Sequence, residues 1–482
     1  MLALPENSLV LRALARRLLL SAAPPPKGTG SGRSFVVERA EALAGLGDVD
    51  GAATLLKLLS DKQVDATALR LAADMAWLAD DIAAGCDIVE RGLSQFDRES
   101  YFAKATIFCQ AQAGQRDKAM LGLDMLRDQN QADDPLFAGL IDQLTGGPPA
   151  KIESAAALTP LHLAMLRTAK AALPADTAGA APLAVAVALT KDPRTPAPLR
   201  LTLAERAAAA GLVDPPALAK LYAAEPASPA ELDGVLRADQ PAASPHVRAL
   251  IYQAAQRAGD PATRAGLMQR ALRQARGDGT YPLVARLYLP LLKDLAVGPA
   301  SPSFALEAAI ALHVAGYHQK AAGWIGQLTQ TGADAKSTAA RAWLVQRLNG
   351  AATAADADAL AAWYAAAKAR DAAIGDAQLV RMLALLDGLG GSADRLWATL
   401  LGSSALATLP PTDPVLWYSL DAAAVDRRPG EAILLTLIAL GEPVAGQANP
   451  LAIGRGLSAL KRVGRGAEAR DLAYEIALAN GL

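Results

Sequence analysis

Between Ser34 and Asn130 a small residue is followed, five positions on, by a second small residue, and this happens three times: Gly47…Ala52, Ala79…Ala84 and Gly114…Ala119. No other feature constrains the chain as strongly. The first residue of each pair suits a tight turn, where the backbone turns left-handed to end a helix. The second falls at the start of the next helix, where a larger side chain would hold two helix backbones apart. The copies recur at about one 34-residue helix–turn–helix unit. The apolar residues around them follow helical periodicity. Val36, Ala40 and Leu43 line one helix of the first hairpin, expected over Ser34–Ser60, and Ala52, Leu55, Leu56 and Leu59 line the other. Ile82, Cys86, Val89 and Leu93 form the stripe of the second unit, and Ala119, Gly122, Leu123 and Leu126 that of the third.

Composition agrees with helices. The 482 residues are 52% hydrophobic and only 4% aromatic, with Ala and Leu supplying most of the apolar content. Both are strong helix formers, so an all-α chain is expected. Lys and Arg number 47 against 48 Asp and Glu. That balance gives no pull toward nucleic acid, and no nucleic-acid partner is expected. The apolar runs at Ala178–Leu189 and Ala432–Leu440 are shorter than the roughly 18–20 residues a membrane span needs. Peripheral membrane association is not excluded by this.

On the strength of the three Gly/Ala pairs, the stretch Ser34–Asn130 resembles degenerate tetratricopeptide-like repeats of a bacterial protein. The family's aromatic positions and terminal proline are not matched. The resemblance implies an α-solenoid, a superhelix of antiparallel helical hairpins whose concave surface takes a protein or peptide partner.

The chain divides into four regions. Residues 1–33 hold an amphipathic helix, with Leu11, Leu14 and Leu18 on one face, and a linker through Pro24-Pro25-Pro26 and Gly28–Gly32. Residues 34–145 are the regular repeats. Residues 146–245 are punctuated by prolines, each ending a helix or opening the next. In residues 246–482 the five-residue spacing returns at Gly316…Ala321 and Gly464…Ala469.

No linear catalytic signature stands out, whether HExxH, GxSxG, CxxC or a phosphate-binding loop. No enzyme activity, cofactor or metal site is expected. His313 and His318 are five apart, off the i, i+4 spacing of a metal pair, and straddle the Gly316 turn. Asp80-Asp81, Asp133-Asp134 and Asp356–Asp358 read as helix-start clusters. The basic group Arg455, Lys461, Arg462, Arg465 and Arg470 is interleaved with acids and reads as a mixed solvated face. Two features remain. Cys86 and Cys109 would be neighbours in a stacked array, as buried thiols or as a disulfide. Trp324, Trp343, Trp363, Trp397 and Trp417 all lie in the C-terminal half, either filling gaps between hairpins or forming a binding surface.

The expectation is a non-catalytic scaffold for protein–protein interaction, a subunit of a bacterial envelope assembly. The alternative is a helical toroid that binds or processes a lipid or glycan. A cysteine pair leans the location toward the periplasm or cell envelope, with the cytoplasm as the alternative. The N-terminus is not a good signal peptide, because Arg12, Arg16 and Arg17 fall inside its apolar segment.

Overall fold

The computed structural model describes residues 8–23, 33–128, 134–237, 244–298, 302–328, 335–350, 357–370, 372–391, 397–398, 413–441 and 449–482. Among these residues every regular element is helical, and the helices pack as neighbouring pairs. The Pro24–Gly32 linker, Asp133 and Asp356 lie outside the described residues. The chain forms two compact units, one of Leu19–Ala207 and one of Met1–Leu18 with Ala208–Leu482.

In the unit Leu19–Ala207, three hairpins succeed one another: Phe35–Gly45 with Val49–Leu56, Ala66–Leu78 with Ile82–Gln95, and Ser100–Gln112 with Arg116–Asp128. Each turn is closed in the same way. A left-handed residue sends its N–H to the carbonyl three back, and the next N–H reaches the carbonyl five back. The bonds are Gly47→Ala44 and Asp48→Leu43, Asp80→Trp77 and Asp81→Ala76, Gly114→Ala111 and Gln115→Gln110. The left-handed residues are Gly47 (φ 82°), Asp80 (φ 64°) and Gly114 (φ 76°). Five residues after each comes a buried small residue: Ala52, Gly85 and Ala119.

The middle pair is therefore Asp80…Gly85, one residue on from the Ala79…Ala84 that the five-residue spacing predicts. An aspartate at positive φ leaves no glycine to mark the turn. The buried face of that second helix also differs from the expected stripe, and runs through Gly85, Val89 and Gly92. Both glycines seat aromatic rings. A Cβ on Gly85 would lie 2.1 Å from the Trp77 ring, and one on Gly92 would lie 2.2 Å from Phe102. Trp77 is fully buried, meets Phe108 edge-on at 5.7 Å, and donates its indole N–H to Tyr101 Oη at 3.0 Å. Burying a ring of this size stabilises a core by about 4–6 kcal/mol.

The prolines of the same unit act as helix starters. Pro135 and Pro160 occupy first-turn positions, where the missing N–H costs nothing. Past them, Arg167 fixes the end of helix Ala66–Leu78. It donates to Trp77 O at 3.0 Å and Leu78 O at 3.3 Å, and pairs with Asp192 at 2.8 Å. Arg194 binds the other side of Asp192 at 2.8 Å and reaches Asp80 at 2.6 Å.

The second unit repeats the same turn at Gly316, Arg427 and Gly464, with fully buried Ala321, Ala432 and Ala469 five residues on. The helix pairs are Pro302–Val314 with His318–Leu328, Pro414–Val425 with Pro429–Leu440, and Pro450–Arg462 with Gly466–Ala479. Arg427, like Asp80, is a left-handed residue that is not glycine (φ 53°). Residues 8–18 of the N-terminal helix Leu9–Leu20 belong to this unit and bury Val10, Leu11, Leu14 and Ala15. The last helix is held from several sides. Tyr474 donates to Val345 O at 2.8 Å, Glu475 accepts from Ser8, and Arg276 donates to Leu482 O.

Candidate functional site

In the second unit a pocket of about 460 Å³ opens between helices Ala372–Gly388, Pro414–Val425 and Pro450–Arg462. Its floor is made by two helices that touch backbone to backbone. A Cβ on Gly388 would lie 2.7 Å from Gly454 O and one on Gly454 would lie 3.3 Å from Ala384 O, so the two helices approach closely here. The walls are apolar, with Val380, Ala384 and Leu451 among them. Polar groups stand at the rim. Trp397 donates its indole N–H to Asp387 at 2.7 Å, and Arg455 pairs with Asp421 at 2.5 Å. Arg462 also lines the pocket and has no ion-pair partner among the described residues.

One wall continues onto an exposed apolar face. At 3.6 residues per turn, Asp421 and Ala424 of helix Pro414–Val425 turn toward the pocket, exposed Val425 and Tyr418 flank Asp421, and Val415 lies on the far side of the helix, opposite Ala424. These three are 67%, 78% and 71% exposed, so nothing in the described chain covers them. An apolar pocket beside an exposed apolar patch, with charged groups of both signs around it, can seat a large side chain and the segment that carries it.

The tryptophans are mostly core. Trp324, Trp363 and Trp417 are buried, and Trp324 meets Phe304 edge-on at 5.5 Å. Trp343 and Trp397 are half-buried. The five therefore do not form one surface: in a helical core built from alanine and leucine, indoles fill the gaps that small side chains leave. Only Trp397 lines the pocket.

Cys86 and Cys109 stand as a disulfide between helices Ile82–Gln95 and Ser100–Gln112, with S–S 2.02 Å and Cα–Cα 5.8 Å. The basic C-terminal group is dispersed. Arg455 pairs with Asp421, Lys461 donates to Leu389 O at 2.7 Å, and Arg465 faces Glu468 at 3.6 Å.

The histidines are engaged as well. His162 is buried, meets Asp134 through Nε2 at 3.1 Å, and accepts from the Thr159 N–H through Nδ1. Asp134 caps helix Pro135–Leu144. Burial pushes its carboxyl up, but the hydrogen bonds from His162 and the Phe137 N–H outweigh this and hold it at about 2. His246 is bracketed by Glu225 at 2.8 Å and Glu231 at 3.5 Å, and the Glu225 hydrogen bond raises its pKa. His313 is buried and stacks on Tyr474. Burial first, then His318 with Nδ1 3.0 Å away, lowers it to about 4. His162, His246 and His313 thus each hold a structural partner. The described residues contain no group of three or more His, Cys, Asp or Glu side chains that could hold a metal ion, and no helix long and apolar enough to cross a membrane.

This defines an all-helical protein of paired helices, compatible with a helical-repeat fold. No protein-family model matches the chain, and no curated protein matches it.

Proposed function

We propose that this protein is a non-catalytic, tetratricopeptide-like scaffold that binds a segment of a partner protein at the pocket between helices Ala372–Gly388, Pro414–Val425 and Pro450–Arg462. The observation that carries the reading is the apolar pocket with exposed Tyr418 and Val425 beside its Asp421 edge. A small ligand would need the pocket alone; an extended partner uses both. Arg462 at the rim favours a segment that places an acidic group beside its apolar anchor. The repeated turn chemistry in both units supports the helical-repeat assignment.

Leu451→Asp and Arg462→Glu test this, since both residues are exposed and line the pocket. Affinity capture from native lysate should enrich a protein with the parent chain. The same protein should fall by about tenfold with either variant, the scale of losing one interface anchor. Equal recovery with the variants would rule the pocket out. The second reading, a lipid acyl chain held by the apolar lining, would be favoured if organic extraction released a lipid and no protein were enriched.

We further propose that the protein works in a bacterial cell envelope, as a subunit of an assembly there. The Cys86–Cys109 disulfide supports this, because such bonds persist in oxidising compartments. Thiol titration of the unfolded, unreduced chain should find no free thiol. Two free thiols would withdraw the argument.

A further inference from the structure

Helix Pro414–Val425 leaves an apolar stripe facing solvent. Val415, Tyr418, Ala422 and Val425 are all exposed. Their steps of three, four and three residues place them within an arc of about 80° around the helix. That is the spacing of the apolar seam between two paired helices. The opposite face, with Trp417, Leu420, Ala423 and Ala424, is already buried in the unit's own core. A helix that packs on the stripe must therefore come from elsewhere.

The stripe is symmetric in sequence. Counted about Leu420, Val415 and Val425 are five residues to either side, and Tyr418 and Ala422 are two to either side. Two such helices laid antiparallel, with their Leu420 positions level, set Val415 of each against Val425 of the other. They also set Tyr418, the largest side chain of the stripe, against Ala422, the smallest. The ends match as well. Asp413 and Arg427 are seven residues to either side of Leu420, both are exposed, and neither has an ion-pair partner among the described residues. Antiparallel pairing brings the Asp413 end of one helix over the Arg427 end of the other. It also aligns the positive N-terminus of each helix with the negative C-terminus of its mate. One like-charge approach remains, between the two Asp421 side chains beside the axis, and each is offset by its own Arg455 at 2.5 Å.

We propose that the occupant of this stripe is the same stripe on a second copy of the chain, in a two-fold antiparallel helix pair. A two-fold interface needs a surface that complements itself, and this one does so in size, in charge and in register. The pairing goes beyond the pocket reading and shares only Tyr418 and Val425 with it, because Val415 lies opposite the pocket-lining Ala424. The pocket opens beside the seam, so a segment seated there lies along its edge. A seam of about three turns buries less than a standard interface, so the dimer is weak, with a Kd on the order of ten micromolar.

Sedimentation equilibrium of the full chain across the micromolar range should show a balance of monomer and dimer. Val415→Glu, which sets a carboxylate against Val425, should weaken the dimer by about tenfold or more, whereas Leu58→Glu, at an exposed leucine outside the seam, should not. Cross-linking reads the register. Position 415 is level with 425 of the second copy but about 15 Å along the seam from its own counterpart. Val415→Cys and Val425→Cys chains should each form no disulfide-linked dimer alone under mild oxidation, and an equal mixture should form one. The proposal is overturned by a parent chain that stays monomeric, by a dimer that Val415→Glu leaves intact, by linking of either cysteine variant alone, or by a mixture that fails to link. A monomeric parent that still loses its lysate partner with Leu451→Asp would sink the dimer and leave the pocket reading standing. A dimer that links as expected, with equal lysate recovery by Leu451→Asp, would sink the pocket reading alone.

Discussion

Gly85→Val is expected to destabilise the unit Leu19–Ala207 by about 3 kcal/mol, the upper range for forcing extra carbon into a filled core. The first added atom already lies 2.1 Å from the Trp77 ring. The ring has nowhere to go. Its indole N–H is committed to Tyr101, its edge meets Phe108, and it is fully buried. The helix that carries Gly85 cannot retreat either, because Cys86 ties it to Cys109 in the next hairpin. Gly85→Ala should show a smaller loss in the same direction. Urea unfolding followed by fluorescence and circular dichroism reads the effect. Trp77 is the single tryptophan of this unit, so Trp77→Phe separates its signal from those of the other five. A Gly85→Val chain as stable as its parent would show that the ring seat contributes nothing.

Arg167→Ala should cost about 3 kcal/mol by leaving Asp192 less well paired in the interior. The Asp192 side chain is only 4% exposed, and the Trp77 and Leu78 carbonyls would also lose their donor. Burial pushes Asp192 up, but hydrogen bonds from Arg194 and Arg167 outweigh it and hold the carboxyl at about 2. The sign follows from linkage: a carboxyl lowered in the folded state stabilises above its ordinary value and loses that contribution as pH falls from about 4 to about 2. The parent chain should therefore weaken over that window. Arg167→Ala should weaken less steeply, because part of what acid removes is already gone. Urea midpoints at pH 7 and pH 3 give both numbers. Parallel pH dependence in the two chains would remove Arg167 from the account.

What could be read in the sequence depended on whether the structural role left a chemical mark. Gly47, Gly114, Gly316 and Gly464 mark their turns because glycine is the ordinary residue at positive φ. Asp80 and Arg427 do the same work without that mark, so one hairpin is displaced by a residue and another goes unseen. Gly85 and Gly92 look like poor helix residues until the rings they seat are known, and no local pattern pairs Gly85 with Trp77 or Gly92 with Phe102. The amphipathic N-terminal helix was legible, but its seat on Glu475 was not. The candidate pocket had no linear trace at all. Its walls come from Val380–Gly388, Asp421–Ala424 and Asn449–Arg462, which meet only after the helices have paired. The tryptophans were ambiguous in sequence for a related reason, since a large aromatic side chain signals burial and binding equally well, and Trp324, Trp363 and Trp417 prove to be gap fillers.

The pairing of Ser8 with Glu475 also sets an order of events during synthesis. The unit Leu19–Ala207 lies in the sequence between the two parts of the other unit, so a ribosome completes it first. The opening helix must then wait with its apolar face unsatisfied while more than four hundred further residues emerge. At about 5–20 residues per second, that wait lasts on the order of half a minute to a minute and a half.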